Sequence, residues 1–282
     1  MIESDSQNLL VGSTIPAFNK RMSTTHEQRL ENEVAYHAEV ARRERENLVV
    51  TPPELVERYR KCARWRTYYP ECIFHFLTKN RPEHICDFGC GSGEMACRLG
   101  LLGYRVTGLD VSPDLIEVAR ERAVLEGVAD RVTFIVADGA SAPLTEGAFD
   151  AVLAMSVVHH MPIDDALNAL ERLLRSGGRI AFLEPVAYSK TLQWLRNRTP
   201  IEKDVSPDER QLCAAEIRLI TQRFIIEEHR HFLMVARLRR LLPESWFKMG
   251  ERVLSTLDQT LFLFPGVSRF AGVIALLARK RD

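Results

Sequence analysis

Between residues 83 and 185 short apolar runs alternate with stretches whose apolar positions recur every three or four residues. The runs are His84 to Phe88, Arg105 to Leu109, Val132 to Ala137, Phe149 to Val157 and Arg179 to Leu183, and each predicts a strand. The clearest helix between them is Pro113 to Glu126. Ser112 is its N-cap, Pro113 suits the first helical position, Leu115, Val118, Ala119 and Leu125 form the apolar side, and Gly127 is the stop. A second helix, Ile163 to Arg175, carries Ala166, Leu167, Leu170 and Leu174 as its stripe before Gly177 and Gly178 end it. Strand and helix in repetition imply parallel strands joined by right-handed crossovers, hence an α/β doubly wound, mostly parallel sheet. Ligands of such a sheet bind at the carboxyl ends of its strands.

The flanks read differently. Residues 1–25 are polar with scattered Gly and Pro, a loosely held tail, and residues 26–80 form a helical preface. Within the preface Leu30, Val34, His37, Ala41 and Leu48 recur near helical spacing, Pro52 and Pro53 open a second helix, and Tyr59, Trp65, Tyr68, Tyr69 and Phe74 supply aromatic surface. Past the core of residues 81–185 the pattern loosens. A helix is expected near Asp208 to Arg223, strands at Phe224 to Val235 and Ala271 to Ala278, and cap insertions at about 187–210 and 236–265. In the second insertion Arg237, Arg239, Arg240, Lys248 and Arg252 interleave with Leu238, Leu241, Leu242, Trp246 and Phe247. That interleaving fits a solvated helix over a local core, or a peripheral contact with a lipid headgroup layer.

Charge and cysteine usage narrow the classes. In 282 residues, 38 Lys and Arg balance 38 Asp and Glu, so no overall field recruits nucleic acid phosphates. The N-terminal stretch, with Glu3 and Asp5, lacks the apolar core of a signal peptide, and no run approaches the ~18 to 20 apolar residues of a membrane span. A cytoplasmic protein is expected. Cys86, Cys90 and Cys97 invite a metal reading, but their gaps match neither zinc pairs nor an iron–sulfur triplet, so no metal is expected. The sequence sets no oligomeric state.

The first strand runs into Asp87-Phe88-Gly89-Cys90-Gly91-Ser92-Gly93 and then into a helix from Glu94 to Leu102. Glycines there let the backbone turn sharply and approach a ligand at a helix N-terminus. A dinucleotide site wants glycine at position 94, where this chain has Glu94. A carboxylate in the first turn disfavours a pyrophosphate and tolerates a cationic ammonium, and Asp87 adds a second negative charge. Asp110 ends the second strand 17 residues beyond Gly93, the distance at which such folds hold ribose hydroxyls, and a carboxylate can accept from both. Ala137 and Asp138 end the third strand, where an acceptor suits an exocyclic amine; each of these Asp residues taken singly reads equally as a helix cap or a turn residue, and it is their succession at strand ends beside the glycine loop that points to a ligand.

These segments, DFGCGSG, GLDVS, VADGASAPLTEGAFD and LLRSGGRIAFLEP, resemble the class I S-adenosylmethionine-dependent methyltransferase family over about Glu83 to Pro185. The resemblance implies a seven-stranded Rossmann-like methyltransferase fold and S-adenosyl-L-methionine as cofactor. It implies Asp87, Gly89 and Gly91, with Gly93 in the same loop, at the methionine part, Asp110 at the ribose, and Asp138 with Ala137 at the adenine. It further implies an antiparallel edge from strands six and seven, with the residues between them longer than the family's usual hairpin.

Methyl transfer to a hydroxyl needs alignment and removal of a proton. The fourth strand ends in His159-His160-Met161-Pro162, which brings two imidazoles to the carboxyl edge. His160 aligns with the position where similar sequences carry histidine and is the first candidate base, with His159 second; each has packing or loop hydrogen bonding as its alternative. Glu184, ending the fifth strand, is read as orienting substrate or capping its loop. The expected activity is methylation of a small, hydrophobic or lipid-like acceptor at oxygen. A nucleic acid methyltransferase is the alternative, weakened because SVVHHMP stands where base-amine methylases carry Asn/Asp-Pro-Pro-aromatic. A non-catalytic S-adenosylmethionine-binding scaffold on the same fold is the third reading.

Overall fold

The computed structural model describes residues 26–61, 73–77, 81–188, 210–235 and 244–282. Seven strands make one sheet: β1 His84–Phe88, β2 Arg105–Asp110, β3 Val132–Val136, β4 Phe149–Met155, β5 Leu174–Pro185, β6 Phe224–Phe232 and β7 Val273–Lys280, in the order β3-β2-β1-β4-β5-β7-β6. Pairs among β1 to β5 are parallel, and β7 is antiparallel to both β5 and β6. Only β7 is therefore reversed, and β6 ends at the same edge as β1 to β5. Helices among the described residues include α1 His26–Glu46, α2 Pro53–Lys61, α3 Glu94–Leu101, α4 Pro113–Leu125, α5 Ile163–Leu173, α6 Ala214–Arg223 and α7 Glu244–Leu261.

Alternate strand residues divide between two cores, as a pleated sheet covered on both faces requires. Ile85, Leu153 and Leu277 pack on one face with Leu99, Ile116 and Phe134; Cys86, Val152 and Leu276 pack on the other with Leu167 and Leu170. Cys86 and Cys97 are fully buried and Cys90 nearly so; burial pushes the Cys97 thiol up to about 12. All three act as small apolar packing groups.

Several boundaries differ from those expected. Leu174 leaves the predicted helix and pairs with Phe149, so α5 stops at Leu173 and passes directly into β5. The helix expected from Asp208 starts at Ala214, because Leu212 bridges Val186 and donates its N–H to the Pro185 carbonyl. Leu125, expected on the apolar side of α4, is 46% exposed, while Arg122 is buried. Helical spacing explains the exchange: residues 115, 118, 119 and 122 follow one stripe, and position 125 falls off it. Tyr59 and Phe74 stack at 4.2 Å inside the core, so of the preface aromatics those two serve packing. Trp65, Tyr68 and Tyr69 lie outside the described residues, as do the tail and most of the first cap insertion.

Candidate active site

The glycine loop is a run of left-handed turns, with φ of 72° at Gly89, 53° at Gly91 and 74° at Gly93. Two of the three are fixed by space as well as by backbone. A Cβ on Gly89 would meet Val157 at 2.3 Å, and one on Gly93 would meet Ala119 and Phe134 at 2.7 Å. Gly91 has nothing within 4 Å of its missing Cβ and faces open space. The loop hangs from the second strand: Gly89 and Cys90 donate to the Leu109 carbonyl at 2.8 and 3.0 Å, and Gly91 donates to Asp110 Oδ2 at 2.9 Å.

A cavity of about 220 Å³ opens above the carboxyl edge. Of the candidates named from sequence, Gly89, Gly91, Asp110, Ala137, Asp138 and His160 line it, while Asp87, Gly93 and His159 do not. Asp110 also accepts from Ser112 N at 2.9 Å through Oδ1, and Asp138 accepts from Ala140 N at 3.1 Å and the Ser141 hydroxyl at 3.2 Å. Both acids thus organise turns and face the cavity at once.

Asp87 lies just beneath the loop, 2% exposed, with Oδ2 buried and lacking a hydrogen-bond partner. Burial pushes its carboxyl up to about 7, a hydrogen bond from the Ala96 backbone opposes this, and the Asp110 charge adds to it. A buried acceptor held at that cost fits a ligand that brings a cation. Glu94, expected to share this work, pairs with Arg98 one turn along α3, leaving Asp87 as the loop's uncompensated acid.

At the end of β4 the two histidines take different positions. His159 is 2% exposed, and its Nδ1 sits 2.7 Å from Glu184 Oε2. With Glu184 as carboxylate, Nδ1–H is the donor. The other Glu184 oxygen accepts from Val157 N at 3.1 Å and Val158 N at 3.0 Å, so Glu184 caps the loop, the second of its two expected roles. The His160 ring packs against His159 with centroids 4.1 Å apart and planes tilted by 40°, and His160 lines the cavity.

One lining residue that sequence reasoning missed is His37, which α1 carries over the cavity. The signal was a polar residue in register with Val34 and Ala41 on the packed side of a helix. The helix is held there by Ala41 against Leu115 and Val118, and by Glu44 against Arg122 at 3.2 Å. Arg122 in turn donates to the Ser92 carbonyl at 2.9 Å, tying α1 to the glycine loop.

The family model described as a methyltransferase domain matches residues 86–182, which holds the loop, the strand-end acids and the histidine pair. Residues 86–182 form a class I S-adenosylmethionine-dependent methyltransferase domain. The methyltransferase GfsG of Streptomyces halstedii is 36% identical over 118 residues, 41% of this chain and 42% of that protein. The 27-O-demethylrifamycin SV methyltransferase of Amycolatopsis mediterranei is 39% identical over 101 residues, 35% of this chain and 37% of that protein. The chain thus spans less than half the length of these curated relatives. A solved S-adenosylmethionine-dependent methyltransferase from Methanosarcina mazei shares the fold with a TM-score of 0.51 and 19% identity, over 74% of this chain and 97% of that one. S-adenosylmethionine is the cofactor of the domain. Its ammonium fits the orphaned Asp87 oxygen, and its uncharged link between ribose and sulfonium fits a loop open at Gly91.

Proposed function

We propose that the protein methylates a small hydrophobic acceptor, at oxygen, with His160 as general base. When bound, S-adenosylmethionine supplies a methyl group on a sulfonium, open to in-line displacement. Asp87, Gly89, Gly91 and Gly93 would hold its methionine part, Asp110 its ribose, and Ala137 with Asp138 its adenine. The remaining work belongs to side chains of this chain. His160 takes up the acceptor's hydroxyl proton; Glu184 and His159 fix the loop that carries it, since a base must sit within hydrogen-bond reach of its proton. Val157, Met161 and Leu115 give the cavity an apolar wall that excludes water from the reacting groups.

The observation that carries this reading is the single lining imidazole contributed by the end of β4, on the cavity that also receives Asp110 and Asp138. Release of S-adenosylhomocysteine upon addition of hydroxylated hydrophobic compounds, with mass spectrometry locating the new methyl, tests it. Methyl groups found on nitrogen or carbon only, with His160→Ala as fast as wild type, would refute the oxygen-directed base.

A further inference from the structure

The glycine loop offers little to an anion. Its N–H groups are engaged within the fold: Gly89 and Cys90 on the Leu109 carbonyl, Gly91 on Asp110, and Gly93 on the Cys90 carbonyl at 2.9 Å. Behind the loop, the Ala96 backbone in the first turn of α3 bonds Asp87. The site is also acidic, with Asp110 and Asp138 in the cavity lining and Asp87 buried beneath it. S-adenosylmethionine carries a carboxylate on the same carbon as its ammonium. With the ammonium at Asp87, that carboxylate lies beside the loop and among these acids, and leaving water there is costly unless a donor takes water's place. The donor has to be a side chain.

Among the described residues, the lining side chains that can donate at neutral pH are His37, Ser156 and His160. Ser156 and His160 both come from the end of β4, where the acceptor's proton is to be taken up. His37 comes from the glycine-loop side. His37, Gly91 and Leu115 line both the cavity and a second hollow of about 270 Å³, completed by Val40, Arg43, Glu44 and Ser92, so His37 stands where the two meet at the loop. Its position is set by the helix that carries it. Residues 37, 41 and 44 share one stripe of α1. Ala41 packs against Leu115 and Val118, and Glu44 accepts from the Ser92 hydroxyl and from Arg122, each at 3.2 Å. Off the stripe, Arg45 donates to Glu121 at 3.0 Å. None of these anchors uses the imidazole, and a donor fixed in advance loses little freedom when a ligand arrives.

We infer that His37 binds the cofactor: α1, which lies outside the matched residues 86–182, supplies the donor for the carboxylate of S-adenosylmethionine. The inference rests on the placement of the methionine part at the glycine loop proposed above. Calorimetry of the full chain with two ligands tests it, S-adenosylhomocysteine and S-adenosyl-3-thiopropylamine, which keeps the amine and lacks the carboxylate. Wild type should bind the first about tenfold or more tightly than the second, the size of a hydrogen bond to a charged group. His37→Ala and His37→Phe should each weaken S-adenosylhomocysteine about tenfold and leave the decarboxylated ligand within about twofold, so that the preference disappears. Phe keeps a ring for packing without a donor, and His37→Gln, which keeps a donor, should retain most of the preference. A ring that only packs would give a different pattern, with both ligands weakened alike by Ala and neither by Phe, and that pattern would overturn the inference. So would a preference unchanged in these variants but lost in Ser156→Ala. Wild type that binds both ligands equally would overturn the role of His37 alone, whereas wild type that binds neither would overturn the placement of the cofactor with it.

Discussion

The two halves of the carboxyl edge are built in different ways. On the β1–β2–β3 side the cavity-lining candidates come from strand ends and tight turns, and their polar atoms are tied into those turns: Gly91 to Asp110, Ser112 to Asp110, Ala140 to Asp138. On the β4–β5–β7–β6 side the edge is built from longer-range contacts. Glu184 reaches the β4 loop from 25 to 27 residues away, Arg210 donates to the Met161 carbonyl at 2.9 Å, and Asp258 ties α7 to the end of β6. The first side is preorganised for a ligand of constant shape. The second joins two core strand ends through Glu184 and adds contacts from the insertions through Arg210 and Asp258, segments that can vary without disturbing the sheet.

That contrast can be broken from either side. The largest expected effect lies on the second side: His160→Ala should lower turnover by about 10²- to 10⁴-fold and leave S-adenosylhomocysteine affinity nearly unchanged. Steady-state kinetics beside calorimetry checks this, and an equal fall in cofactor affinity would erase the division. Next is Glu184→Ala, which strands the N–H groups of Val157 and Val158 and the His159 ring inside the protein. A loss of about 3 kcal/mol in unfolding free energy is expected by denaturant titration, with Glu184→Gln losing less. Asp110→Ala, on the first side, should weaken cofactor binding by about 1 to 3 kcal/mol and also cost stability, because Gly91 and Ser112 lose their acceptor. A variant that lost stability alone would reduce Asp110 to a turn residue.

What could be read in the sequence follows the same division. The strands, the N-cap at Ser112 with its 3.3 Å bond from Leu115 N, and the glycine loop are local patterns, so periodicity and spacing were enough to place them. The acids at Asp110 and Asp138 were legible because a strand end fixes where the next residue goes. Residues whose place depends on distant contacts were not. The resemblance ranks His160 above His159, but the physical difference between them lies in Glu184, 25 residues away, which holds His159 as a buried strut beside the cavity-lining His160. His37 reaches the cavity because α1 packs on α4, a contact with no local signature. Polar Asp258 on the inner side of α7 defeats a rule that reads polar as outward, since its value lies in two backbone N–H groups on another element.

The most direct test of the account is calorimetric titration of the full chain with S-adenosylhomocysteine at pH 8 and pH 6. Asp87 has its carboxyl raised to about 7 by burial, so the empty site is largely ionised at the higher pH and largely protonated at the lower. An ammonium ligand prefers the ionised form, so binding should be in the micromolar range at pH 8 and weaker by up to about tenfold at pH 6. Proton release at pH 6 should appear as a dependence of the heat on buffer ionisation enthalpy, and Asp87→Asn should abolish both the pH dependence and the release. Absence of S-adenosylhomocysteine binding at either pH, or binding of NAD in its place, would contradict the assignment of the loop, the strand-end acids and the cavity to this cofactor.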